Sequence, residues 1–133
     1  MKKAFVGPSL VKFAAWYGIA VGLLMLGQWA FFLVAGQAPE IKTEPIRLAF
    51  HLAAEFGTAL GLIVSGAALL RGAAWANGAY LAFAGMLLYS VIVSPGYFAQ
   101  QGQWAFVAMF AVLLALAIGS LLVVARSLRA PAR

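Results

Sequence analysis

At 133 residues, 65% hydrophobic and only 9% charged, the chain is one domain's worth of sequence with too little polar surface to face water; soluble domains carry about 25% charged residues. Its formal net charge of +6 does not mark a nucleic-acid binder, because Lys2, Lys3, Lys12, Arg126, Arg129 and Arg133 lie near the two ends beside apolar segments, where basic residues fix topology and meet anionic headgroups. The absence of cysteine excludes disulfides, thiolate metal centres and lipoprotein anchoring.

The first run without a charge, Phe13 to Pro39, is longer than the about 20 residues that cross a bilayer. Pro8 and Ser9 suit a helix entry, and Gly36 and Pro39 an exit. Lys2 and Lys3 before an apolar stretch also resemble a cleaved leader, but the apolar part of a leader is about 7–15 residues. The longer run predicts a retained span over approximately 10–35. Glu40, Lys42, Glu44 and Arg47 then crowd into a short solvated loop. Pro45 suits the first turn of the next helix, where its missing N–H costs nothing. The second span is expected over 46–70. It contains the only histidine of the chain and its only acid inside a span.

No charge occurs from Gly72 to Ala125. One straight helix of that length would extend roughly 80 Å, against a hydrocarbon core of roughly 30 Å. The chain must turn back, and Ser94-Pro95-Gly96 followed by Gln100-Gln101-Gly102-Gln103 is the polar, turn-rich stretch that allows it. The third and fourth spans are expected over 73–93 and 104–125. Residues 1–133 therefore form a single domain, an all-α membrane protein built as a four-helix transmembrane bundle. With both termini in the cytoplasm, Lys2, Lys3, Lys12, Arg71, Arg126, Arg129 and Arg133 lie inside and only Lys42 and Arg47 outside, as the distribution of basic residues requires. A prokaryotic cytoplasmic membrane is the expected location, with lipid as the first partner and nucleic acid excluded.

His51 and Glu55 are four residues apart and share one helix face. Thr58 and Ser65 continue the stripe, with Leu62 interrupting it. Glu55 lies roughly 13 Å below the outer end at 1.5 Å per residue. A carboxylate at that depth is costly and must be protonated, paired, or open to water within the bundle. Counted from the outer ends, Gln28 of the first span and Tyr89 and Ser90 of the third reach the height of His51, and no Lys or Arg reaches Glu55. The candidate ligand- or proton-binding residues are His51, Glu55, Thr58, Tyr89, Ser90 and Gln28, with Tyr89 as a hydrogen-bond partner for the pair. Two ligands fall short of the three or four that zinc wants. With a single histidine, bis-His haem would need two subunits, and a His/Met pair would need Met86 or Met109. No cofactor or metal is expected, and no serine or threonine has the setting of a nucleophile, so no enzymatic activity is expected.

Small residues recur four apart at Gly18 and Gly22, at Gly57, Gly61 and Ser65, and at Ala111, Ala115 and Gly119. Such edges let helices approach closely, within one chain or in a homo-oligomer or complex with another membrane protein. In size, helix number and a lone membrane glutamate, the chain is similar to the small multidrug resistance transporters, and Glu55-Phe56-Gly57-Thr58 resembles their glutamate segment. The resemblance is confined to those residues. The glutamate of that family lies on the first helix and Glu55 on the second, so no residue role is carried over. The sequence points to binding or passage of a small cation, proton or amphiphile through a His51/Glu55 site. The reading from a different class is a non-catalytic accessory or anchoring subunit of a larger membrane complex.

Overall fold

The structure, a computed structural model, describes residues 6–129. They form α1 (Pro8–Val34), the single turn α2 (Glu40–Thr43), α3 (Pro45–Leu70), α4 (Ala76–Val93), the short α5 (Pro95–Gln100) and α6 (Trp104–Leu128), without a strand among the described residues. Proline stands in the first turn of α1, α3 and α5. The same three helices end on glycines with left-handed backbone, Gly36, Gly72 and Gly102. After each glycine the next N–H reaches back to a carbonyl of the last turn, as Gln37 does to Phe32 at 2.9 Å, which satisfies carbonyls that a helix end leaves without partners.

The polar stretch expected to turn the chain after the third span behaves differently in its two parts. Ser94 keeps helical backbone (φ −60, ψ −39) and the chain continues into α5, so that the third apolar helical segment runs from Ala76 to Gln100 with a break at Pro95. Proline removes one N–H from the ladder, but its φ is itself helical. The reversal falls at Gly102 instead.

Among the described residues four helical segments are long and apolar enough to cross a membrane, and at most 39% of the most apolar window of any of them is buried. Much of the remainder is apolar surface for lipid, as with Val34, Ile46 and Phe50. Around the bundle the order is α1, α3, α4, α6, with α3 and α6 on opposite corners; α1 and α3 are in the most extensive contact and α1 and α6 in the least of the adjacent long helices. The α1–α3 contact is close because a Cβ on Gly22 would stand 2.6 Å from the Ala59 carbonyl, and one on Gly66 2.7 Å from that of Ala15. Gly61 likewise lies against the Phe83 ring, whereas a Cβ on Gly57 or Gly119 would meet nothing within 4 Å and Ala111 and Ala115 are exposed.

Two apolar clusters follow one another along the axis. The one near the termini gathers Ala14, Ala15, Ala68, Ala76, Tyr80 and Val124. The other contains Tyr17, Val21, Leu62, Leu87 and Phe110. Two tyrosine hydroxyls tie helices together, Tyr80 of α4 donating across the bundle to the Ala14 carbonyl of α1 at 2.6 Å and Tyr17 to that of Leu113 on the adjacent α6 at 2.7 Å. Ser120 is buried beside Tyr80.

Candidate functional site

Above these clusters, at the end of the bundle that carries α2 and α5, the helices enclose an open cavity of about 820 Å³. Its mouth is bordered by Gln37, Glu40, Glu44, Gln101 and Gln103, and its floor by Val21, Leu87 and Leu113. The Tyr17–Leu113 hydrogen bond and the side chain of Leu62, 1% exposed, belong to the packing beneath.

Glu55 lines this cavity about 15 Å along α3 from Pro45, at 1.5 Å per residue. Ser90 of α4 donates its hydroxyl to Glu55 Oε1 at 2.7 Å. No Lys or Arg forms an ion pair with Glu55 among the described residues; the one ion pair found joins Arg47 to Glu44 at 2.7 Å, at the mouth, where both side chains are solvated. Such a surface pair contributes little to stability, but it occupies the only Lys or Arg side chain among those that line the cavity. His51, one turn above Glu55, also lines the cavity, its ring edge-on to Trp29 with centroids 5.5 Å apart. Gln28 borders the same space from α1.

Of the sequence-predicted residues, the structure therefore brings His51, Glu55, Ser90 and Gln28 to one cavity. Tyr89 and Thr58 are elsewhere. Tyr89 is 72% exposed on the outer surface of α4 and is no partner for the pair. Thr58 is 3% exposed and donates to the carbonyl of Ala54 in its own helix at 2.7 Å. The stripe from His51 to Ser65 is real as a helix face, but it passes from cavity wall to packed core below Glu55. Ser65 accordingly turns its hydroxyl back to the Gly61 carbonyl at 2.6 Å.

The structure adds residues that sequence reasoning did not assign to the site. Glu40 and Glu44 join Glu55 on the cavity wall. The whole chain has only three acidic residues, so every carboxylate side chain of a protein with net charge +6 faces this one space. The confinement of all three acids to residues 40–55 was the available signal. Opposite α3, the wall is aromatic: Phe98 of α5 stacks on Phe106 and Phe110 of α6 at centroid distances of 4.7 and 5.8 Å. The carboxylates are spread along the wall, and among the described residues no three His, Cys, Asp or Glu side chains gather closely enough to hold a metal ion.

Fold and site together define a small integral membrane protein with four apolar helical segments and an acidic, aromatic cavity entering from one end. The family model described as "Domain of unknown function (DUF8058)" matches residues 9–132, and the chain belongs to that family. Neither a curated protein nor a solved structure matches it significantly.

Proposed function

We propose that this protein binds a cation in the cavity and passes it through the membrane in exchange with a proton, with Glu55 carrying the charge and His51 as its proton partner. The observation that supports this most strongly is the placement of all the acidic side chains on one cavity wall, the deepest of them inside a span with a serine hydroxyl and, among the described residues, no Lys or Arg partner. A carboxylate so placed is costly while it stays charged and alone. A bound cation or a bound proton removes that cost, and the two compete for the same group. The titratable or charged side chains lining the cavity are Glu40, Glu44, Arg47, His51, Glu55 and Tyr97, and Glu55 lies deepest among them. Lys12, Arg71, Arg126 and Arg129 lie at the opposite end of the bundle, which under the positive-inside rule turns the cavity mouth to the outside of a prokaryotic cytoplasmic membrane. No chemical transformation is assigned.

Glu55→Gln preserves shape and hydrogen bonding while removing the charge. In proteoliposomes it should abolish proton-coupled cation flux, and in detergent its melting curve should match that of the unmodified protein. Glu55→Leu should likewise abolish flux. Flux that survives unchanged in Glu55→Gln removes this reading. If the unmodified protein carries no flux, the reading that stands is an accessory subunit docked through the exposed small-residue edge Ala111–Ala115–Gly119 of α6, an edge equally suited to a second copy of this chain.

A further inference from the structure

The two walls of the cavity differ in kind, and their separation specifies more than a positive charge. On the α3 side stand His51 and Glu55, with Ser90 of α4 bonded to the carboxylate. Across the bundle, on the opposite corner, the Phe98, Phe106 and Phe110 rings form a continuous stack. A hydrated metal ion or a proton has no use for the second wall. A purely apolar molecule has none for the first, which it would strand beside a desolvated carboxylate. The volume of about 820 Å³ lies within the roughly 300–1,000 Å³ of sites that take drug-sized organic ligands. Along the seam between α1 and α6, Leu24 and Met109 line the cavity while remaining 52% and 39% exposed. These two helices make the least contact of the adjacent long pairs, so the apolar side of the cavity borders the lipid.

We infer that the ligand is an amphiphilic organic cation: an ammonium or phosphonium centre directed to Glu55, carrying an aromatic or otherwise apolar body that rests on the Phe98–Phe106–Phe110 wall and is drawn from the bilayer along the α1–α6 seam. This rests on the cation-binding reading above and adds the ligand class. Aromatic rings serve such ligands twice, through apolar area and through attraction between the ring face and the cation.

The test uses the full chain in lipid nanodiscs, with empty nanodiscs as the baseline for partitioning. Three probes separate the terms: tetraphenylphosphonium has charge and body, tetraphenylborate the same shape with opposite charge, and tetramethylammonium the charge with almost no body. Saturable binding of tetraphenylphosphonium is expected, at least about tenfold tighter than that of tetramethylammonium, with none for tetraphenylborate. Glu55→Gln should remove it. The pair Phe98→Leu and Phe106→Leu, which keeps apolar volume but loses the ring faces, should weaken tetraphenylphosphonium by about tenfold while leaving tetramethylammonium unchanged. Tetramethylammonium binding as tightly as tetraphenylphosphonium, both depending on Glu55, overturns this inference and leaves the cation site standing. Saturable tetraphenylborate binding overturns it as well. Binding of either cation that is indifferent to Glu55 overturns both.

Discussion

Near the termini, α1, α3, α4 and α6 are separated by alanines, a serine and the ring of Tyr80, and a Cβ added at Gly66 would run into backbone. Near α2 and α5 the same helices stand apart around about 820 Å³ of open space lined by Glu55, His51 and stacked phenylalanines. Close packing in one half holds the helix order and leaves the side chains of the other half free of that duty. A membrane bundle gains nothing from hydrophobic exclusion between helices, because lipid tails are as apolar as leucine. Its stability must come from close approach and from hydrogen bonds, and in this protein both are concentrated away from the cavity. Replacing the polar residues of the cavity should therefore disturb folding little.

That contrast can be tested from its coarsest element down. Which half faces which compartment is an all-or-none matter. A single cysteine introduced at Gln101, in a chain with none of its own, should react with impermeant maleimide only from the outer side; labelling from the cytoplasmic side alone breaks the orientation. Next in size is the packed half. Gly66→Leu forces a side chain into the Ala15 carbonyl and Ile19 and should lower stability by about 3 kcal/mol, the upper range for overpacking, seen as a lower Tm in detergent. Tyr80→Phe removes the hydroxyl donated to Ala14 and should cost about 1 kcal/mol, the usual net worth of such a bond, in the same melting experiment. If Glu55→Gln lowers Tm more than Tyr80→Phe does, the division of labour between the halves is wrong. The smallest effect belongs to Tyr89→Phe. Its side chain faces outward, so cation binding and flux should be unchanged and stability should shift by less than about 0.5 kcal/mol.

The spans were legible in the sequence because a stretch as long as Gly72 to Ala125 without a charge admits few arrangements in a bilayer. His51 and Glu55 were legible as one face because their spacing alone puts them there. The choice between Tyr89 and Ser90 was not. Counting residues from a helix end gives height, while successive residues differ by about 100° in direction, and α4 is apolar around its whole circumference. With no polar side to orient it, only packing on α3 and α6 decides that Leu87, Ser90 and Val91 turn inward. Glu40 and Glu44 were legible as a charged loop, but their membership of the cavity wall depends on α2 folding back against α3, which no local pattern specifies.

The break at Pro95 divides the third apolar helical segment into two stiff rods joined by a short link, with Phe98 mounted on the shorter one. Proline has no N–H to offer the Val91 carbonyl, so the link lacks one of the ladder bonds that would hold the rods collinear. The shorter rod is in more extensive contact with α6 than with α4, and its ring is stacked on two rings of α6. In mechanical terms it is a bracket fixed to its downstream neighbour and only loosely tethered to the helix it extends. The aromatic side of the cavity is thereby carried on α6, a helix that contributes none of the charges inside.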